Sequence, residues 1–254
     1  LSLLTLGIDG DSQLAGIVYE SDLDLHGESF LHVRFILTCS IVTIIDVEQG
    51  RQVSMSTGPR PTFSSLGVAA EITEALADAN ITHAFAIQEY TLPIALKGSD
   101  VIGQARTGMG KTLGFGIPVL DRVFDDATVT APDGTPRALI VVPTRELCLQ
   151  VTDAPTRAAR HLRVPVGSEG ASQRKKHKTR PLQVQAVYGG VGFEKQTAAL
   201  DRGVDIVVGT PGRLLDLSRQ GHLQLATVEI VVLDEADEML DQGFLDDVRD
   251  IMTQ

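Results

Sequence analysis

The chain has 254 residues, of which 22% are charged, and a formal net charge of -11. This acidic balance argues against a protein that coats nucleic acid by bulk electrostatics, although it leaves room for a local basic groove. The two cysteines, Cys39 and Cys148, lack metal-ligand spacing, which favours a reduced intracellular protein. The most hydrophobic run, Phe35 to Ile45, is shorter than the roughly 20 residues of a membrane-spanning helix and has no basic n-region. We therefore predict a cytoplasmic protein.

Residues 1–54 differ from the rest of the chain. They contain eight Asp or Glu against two Arg, are β-rich from Phe30 to Val47, and hold no recognisable motif. The chain begins at Leu1, whereas Met55 opens a short polar linker, residues 55–62, that is compatible with a natural start. Two interpretations stay open for residues 1–54. They are an upstream extension of unknown role, including a mis-called start, or a small accessory strand element packed on the core.

From Phe63 onward, helical patterns alternate with short apolar runs. Leu66 to Ala79 has helical spacing. Strand-like runs follow at Asp100–Gly103, Ala138–Val142, Val184–Tyr188, Asp205–Val208 and Val228–Leu233. Val- and Ile-rich strands that alternate with helices predict an α/β fold whose parallel sheet has helices on both faces. In such a sheet, ligands bind at the carboxyl ends of the strands.

One stretch, residues 164–181, breaks this rhythm with the basic run Arg174 to Arg180. A charge run of this kind predicts a solvated loop inserted between a helix and the next strand. A contact with the RNA backbone is the alternative role for this basic loop.

Residues Ala105 to Thr112 form a P-loop pattern between a predicted strand and a predicted helix. Small residues there let backbone N–H groups turn inward around phosphates, and the helix N-terminus adds its positive dipole end. Lys111 can reach the β- and γ-phosphates, and the Thr112 hydroxyl suits Mg²⁺. The predicted nucleotide-binding positions are Ala105, Thr107, Gly108, Gly110, Lys111 and Thr112. The alternative is a Gly-rich β–α turn without a ligand.

A second element, Val231 to Asp237, delivers carboxylates at the end of an apolar strand. Asp234 would hold the metal through water, and Glu235 would orient and deprotonate the attacking water. The alternative is a polar helix start after a buried strand, since acidic residues favour helix N-termini. The P-loop upstream favours the catalytic interpretation.

With these motifs in order, the chain resembles the DEAD-box RNA helicases over about residues 63–254. Residues 234–237 spell Asp-Glu-Ala-Asp, and Gln88 follows a helix–loop pattern headed by Phe63, as in the family's Q motif. Three further elements match the family's motif Ia at 143–147, its GG element at 189–190 and its motif Ib at 210–213. The resemblance implies the first RecA-like domain of an ATP-dependent RNA helicase.

The family's roles transfer to matching positions. The resemblance implies that Gln88 hydrogen-bonds the adenine edge, that Phe63 stacks on the ring, and that Thr112 and Asp234 hold Mg²⁺. Lys111, Asp234 and Glu235 are the implied catalytic residues. The residues implied to line the path of a single RNA strand are Pro143, Thr144, Arg145, Gly189, Gly190, Thr210, Pro211 and Arg213. Hydroxyls, guanidinium groups and backbone amides suit phosphate oxygens, so we expect binding to single-stranded or short duplex RNA to be independent of sequence. No membrane partner is predicted.

The chain departs from the family in two places. The Q motif reads Ala84-Phe85-Ala86-Ile87-Gln88, without the family's two prolines. The family's Ser-Ala-Thr strand and second RecA-like domain do not appear before Gln254. Because that strand lies between those of the P-loop and Asp234, we expect a domain truncated before its last strands, with an open gap in its sheet. The chain should then aggregate and hydrolyse almost no ATP, whereas the intact parent separates short RNA duplexes.

Three alternatives stay open from the sequence. They are a motor that acts on DNA, an ATP-gated RNA clamp or scaffold that never unwinds, and an inactive gene fragment. Gln88, together with Ala236 and Asp237, favours RNA over DNA.

Overall fold

A computed structural model describes residues 59–105, 108–165 and 179–254, together with the backbone of five short strands before residue 59. In chain order the strands are β1 (Leu3–Leu4), β2 (Val18–Tyr19), β3 (Val33–Thr38), β4 (Thr43–Asp46), β5 (Arg51–Gln52), β6 (Val101–Gln104), β7 (Ala138–Val141), β8 (Arg163–Pro165), β9 (Thr179–Pro181), β10 (Val184–Val187), β11 (Ile206–Gly209) and β12 (Ile230–Asp234). The α-helices are α1 (Ala70–Asp78), α2 (Ala86–Ala95), α3 (Lys111–Asp125), α4 (Arg145–Ala158), α5 (Glu194–Asp201), α6 (Pro211–Arg219), α7 (Ala236–Asp241) and α8 (Leu245–Met252).

The main sheet of the described chain has the strand order β10-β11-β7-β12-β3-β6-β4-β5. Strands β10 to β6 in this order are all parallel, and β4 and β5 add an antiparallel edge. Two buried apolar clusters hold the core of the described residues together. The predicted α/β fold with a parallel sheet is therefore confirmed.

Each strand predicted after residue 63 is present, with its ends moved by no more than two residues. Strands β7, β11 and β12 are buried along their whole length. A strand covered on both faces needs a continuous apolar run, and that run is what the sequence shows at these positions. The helix predicted over 66–79 is shorter, since Ser64–Leu66 forms a 3-10 turn and Gly67 adopts a left-handed φ of 88° before α1 begins.

The structure differs from the expected open gap between the P-loop strand and the Asp234 strand. The backbone of β3 occupies that position and pairs in parallel with β12 on one side and with β6 on the other. Because both strand edges are paired, they give no physical reason for the chain to aggregate.

The basic loop is bounded by a short antiparallel pair, β8 and β9, while residues 166–178 lie outside the described residues. Arg180, the last residue of the basic run, donates from both terminal nitrogens to the buried Asp205 carboxylate at 2.6 Å. This bidentate ion pair uses the Arg180 charge within the fold. No helix among the described residues is both long and apolar enough to cross a membrane.

Candidate nucleotide and RNA site

The P-loop lies between the end of β6 and the start of α3, as predicted. Ala105 is buried, Gly108 and Gly110 have φ of 83° and 85°, and α3 begins at Lys111. A Cβ on Gly110 would come within 2.5 Å of Gln88 Nε2, so this position requires glycine. The predicted nucleotide-binding residue Thr107 lies outside the described residues.

A buried ion pair joins the P-loop to the Asp234 strand. Lys111 Nζ donates to Glu235 Oε1 at 2.7 Å. Glu235 has φ 54° and ψ 48°, the left-handed region that is strained for a non-glycine residue, and it stands between β12 and α7. The structure thus brings together three predicted catalytic residues, Lys111, Asp234 and Glu235. Thr112 follows in the first turn of α3, half-buried.

Asp234 is 2% exposed, and its Oδ1 has no hydrogen-bond partner among the described residues. Burial raises the pKa of Asp234 to about 7; Lys111 and the hydrogen bond from the Glu235 backbone oppose this shift, and the charges of Glu235 and Asp237 reinforce it. A buried carboxylate oxygen without a partner is costly unless a cation compensates for it. The donor set of Asp234 and the Thr112 hydroxyl consists of oxygen atoms, which fits Mg²⁺.

The raised pKa of Asp234 predicts a stability effect in metal-free buffer. The pKa of Asp234 is about 7 in the folded chain, whereas in the unfolded chain it has the ordinary aspartate value of 3.8. Between these values the folded state holds more protons, so its stability rises as the pH falls. With EDTA present, we expect Asp234→Asn to exceed wild type in free energy of unfolding at pH 8, and the excess to shrink at pH 6. Urea denaturation at both pH values measures this; an excess independent of pH would contradict it.

Gln88, at the third position of α2, lies against the P-loop. Its Oε1 accepts from the Phe85 N–H and its Nε2 donates to the Gly110 carbonyl oxygen, both at 2.8 Å. The side chain therefore ties the start of α2 to the P-loop. Its contact with an adenine edge stays a prediction, since both polar ends of the buried side chain already have protein partners.

Phe63, which is predicted to stack on adenine, is 1% exposed and belongs to the same core cluster as Ile72 and Leu76. Its contact with adenine stays a prediction. Beside the P-loop, the Phe85 ring is 38% exposed and lies close to Gly110. The Arg60 guanidinium carbon lies 4.9 Å from the centre of that ring. Sequence reasoning missed Phe85, although it stands in the altered Q motif.

The predicted RNA residues follow the carboxyl ends of β7, β10 and β11, on the same sheet edge as the P-loop and Asp234. Pro143 is buried, and Thr144 caps α4 by accepting a hydrogen bond from the Leu147 N–H. Arg145 is exposed, and its guanidinium carbon lies 5.0 Å from the Tyr188 ring centre. A Cβ on Gly190 would meet Arg145 Nη1 at 3.7 Å.

The remaining predicted RNA residues lie beside these. Gly189 is exposed, with no atom within 4 Å of where a Cβ would stand. Thr210 precedes α6 half-buried, and Pro211 occupies the first position of that helix and is buried. Exposed backbone at the glycines and the open Arg145 side chain therefore form the accessible part of this edge.

Arg213, which is predicted to line the RNA path, is buried, and its contact with RNA stays a prediction. It is 8% exposed and donates to Gln196 Oε1 at 3.0 Å and to the Val191 carbonyl oxygen at 2.9 Å. Its guanidinium carbon also lies 4.2 Å from the Phe193 ring centre. Arg213 thus positions the segment that follows the two glycines. These partners were not foreseeable from sequence, because they are more than 15 residues away along the chain.

Comparison with known proteins identifies the family of the chain. The family model described as DEAD/DEAH box helicase matches residues 85–254 of the chain. The chain belongs to the DEAD/DEAH box helicase family. The matched range contains Gln88, the P-loop, the Asp234 strand and the RNA edge, whereas Phe63 precedes it.

Several relatives are named as RNA helicases. The chain is 40% identical to DEAD-box ATP-dependent RNA helicase 3B, chloroplastic, from Zea mays, over 82% of this chain and 26% of the relative. It is 42% identical to DEAD-box ATP-dependent RNA helicase CshA from Streptococcus pneumoniae serotype 4, over 76% of this chain and 32% of the relative. The chain thus spans about a quarter to a third of the length of these relatives.

A solved structure shares the fold. It is the crystal structure of a hypothetical ATP-dependent RNA helicase from Sulfolobus tokodaii, with a TM-score of 0.56 and 32% sequence identity. The match covers 72% of this chain and 46% of that one. The fold of this chain is thus shared with that solved structure.

Proposed function

We propose that this chain is the nucleotide-binding domain of an ATP-dependent RNA helicase that grips the RNA backbone and separates short duplexes. The observation that supports this most strongly is the cluster of Lys111, Asp234 and Glu235 at the sheet edge that also presents Arg145 and the two glycines. Because the nucleotide site and the RNA-binding surface lie on the same sheet edge, nucleotide binding can influence RNA binding.

The nucleotide half of the proposal follows from the donors present. Lys111 and the P-loop backbone would hold the phosphates, and Thr112 and Asp234 would hold Mg²⁺. Mg-ATP would supply the electrophilic phosphorus and the charge neutralisation that phosphoryl transfer needs. In the present structure Lys111 is paired with Glu235, so its move toward phosphate oxygens would release the Glu235 carboxylate. The freed Glu235 oxygen could then accept a proton from the attacking water.

The RNA half depends on exposed groups. Arg145 is exposed, and its guanidinium lies beside Tyr188 and Gly190, where it can donate to phosphate oxygens while the glycine backbone stays accessible. None of these groups distinguishes one base from another, which favours binding that is independent of sequence. The cytoplasmic location stays a prediction.

Replacing Arg145 tests the RNA half. We expect Arg145→Ala to weaken binding of single-stranded RNA roughly tenfold, the loss of one charge-assisted hydrogen bond. The slope of log affinity against log salt should also fall by about 1. The control is Arg157→Ala on the same helix, whose partner is the surface residue Asp153. Fluorescence anisotropy with labelled RNA measures both variants, and equal losses would contradict the assignment.

A strand-separation assay on the full-length protein that contains these residues tests the whole proposal. We expect a short RNA duplex to separate only with hydrolysable ATP, and an equivalent DNA duplex to stay paired. RNA retention without separation would favour the clamp, and separation of DNA would favour a DNA motor.

A further inference from the structure

The strand that leads into the P-loop, β6, has two neighbours in the described part of the chain, and both precede residue 59. On one side β3 runs parallel to it, with Ile36 opposite Ile102. On the other side β4 runs antiparallel, with Ile44 opposite Gly103. Strand β3 also pairs with β12, where Leu37 lies opposite Asp234. Among the described strands, β6 is therefore joined to the rest of the parallel sheet through β3.

The sequence of β3 suits an interior position. Residues 33–38 read Val-Arg-Phe-Ile-Leu-Thr, in which the apolar stretch Phe-Ile-Leu is of the kind that interior parallel strands require. The one charged residue of this strand, Arg34, falls at an irregularity in the ladder with β12. Val231 pairs with Val33 and Val232 pairs with Phe35, so the register passes over Arg34. The charged residue thus coincides with the one break in that pairing.

The position of β3 sets the distance between the two halves of the nucleotide site. Neighbouring strands lie about 4.8 Å apart, so β3 holds β6 and β12 at about twice that distance. At this spacing, Lys111, which follows β6, and Glu235, which follows β12, are in contact, with 2.7 Å between Lys111 Nζ and Glu235 Oε1. Direct pairing of β6 with β12 would shift one half by a whole strand spacing, and an open gap would leave backbone groups unpaired. Shifts as small as about 1 Å already impair catalytic sites.

The neighbouring helices agree with this role. Helix α7, which follows Glu235, lies against β3, and helix α2, which carries Gln88, lies against β4. Both upstream strands therefore adjoin the elements that position the nucleotide site.

We propose that Val33–Thr38, which pairs with both β6 and β12, sets the spacing between the P-loop and Asp234 in the nucleotide-binding sheet. The upstream segment then occupies the place where the family resemblance implies a Ser-Ala-Thr strand. This role of β3 requires neither ATP nor RNA, so experiments without either ligand can test it.

Amide hydrogen exchange on the ligand-free wild-type chain is the first test. We expect residues 33–38 to exchange at least about 10³-fold more slowly than an unstructured peptide, with protection similar to that of β6 and β12. Exchange of residues 33–38 at the rate of an unstructured peptide would overturn the proposal.

A pair of proline variants is the second test. Ile36→Pro removes an N–H from a strand paired on both sides, whereas Val18→Pro lies in β2, which pairs only with β1 outside the main sheet. We expect Ile36→Pro to accelerate amide exchange in β6 and β12 on the order of tenfold or more, and Val18→Pro to leave it within about twofold. Equal behaviour of the two variants would overturn the proposal. If Ile36→Pro does not fold while Val18→Pro does, that difference supports it, and the wild-type exchange data decide independently.

Discussion

Replacing Glu235 by glutamine is expected to lower ATP hydrolysis roughly 10²- to 10⁴-fold, the usual contribution of a positioned general base. Glutamine keeps the length and an oxygen acceptor for Lys111 but cannot take a proton from water. Lys111 pairs with Glu235 at 2.7 Å, and an uncharged glutamine would weaken that pair. We therefore expect ATP to bind Glu235→Gln at least as tightly as wild type, since Lys111 is released more easily.

Steady-state hydrolysis and nucleotide titration, on the longest polypeptide that contains these residues, separate the two effects. The control is Glu238→Gln, which removes a charge from the exposed side of α7, the helix that follows Glu235. This variant should leave the hydrolysis rate and the ATP affinity unchanged. A Glu235→Gln protein that hydrolyses ATP within threefold of wild type, on the scale of the expected loss, would exclude Glu235 as the base.

Replacing Phe63 by alanine is expected to lower stability, whereas replacing Phe85 by alanine is expected to lower ATP affinity. Phe63 is fully enclosed in the core, so Phe63→Ala should lower the free energy of unfolding by about 3–5 kcal/mol. That is a large part of the roughly 5–15 kcal/mol that stabilises a typical domain. Phe85 is exposed beside Gly110, so Phe85→Ala should leave stability nearly unchanged. Its ATP affinity should fall by about 5- to 100-fold, the worth of one base–aromatic stack.

Denaturant unfolding and ATP titration of both variants test this separation. Phe63→Leu serves as the control for Phe63, because it keeps most of the buried apolar volume and should lose much less stability than alanine. If Phe63→Ala instead kept its stability and lost ATP affinity, the ring would act on the nucleotide, and the burial argument would be wrong.

Local pattern was sufficient to predict most of the fold after residue 63. A strand buried on both faces must be apolar throughout, and a helix on a sheet repeats its apolar residues at helical spacing, so β7, β11, β12 and α1 were visible in the sequence. The P-loop and the Asp234 strand were likewise predictable. Their chemistry depends on residues close together in sequence, and the parallel sheet brings their carboxyl ends to one edge.

The differences arise where long-range packing decides. The sequence around residues 33–38 does not indicate which strands they pair with, because an apolar run is compatible with many partners. In the structure these partners, β6 and β12, lie far away along the chain. The family resemblance assigned Phe63 and Arg213 to ligands, but the first ring is enclosed by the core and the second side chain is held by Gln196 and Val191. Exposure is a property of the packed protein, and so Phe85 emerged only from the structure.

Calorimetric titration of ATP into the chain tests whether Lys111 and Asp234 form one Mg-ATP site. Wild type should bind ATP with Mg²⁺ and much more weakly in EDTA. Lys111→Ala should lose binding in both buffers, whereas Lys97→Ala, an exposed lysine after α2, should bind like wild type. Binding by Lys111→Ala equal to that of Lys97→Ala, or wild-type binding that does not depend on Mg²⁺, would show that these residues do not form one Mg-ATP site.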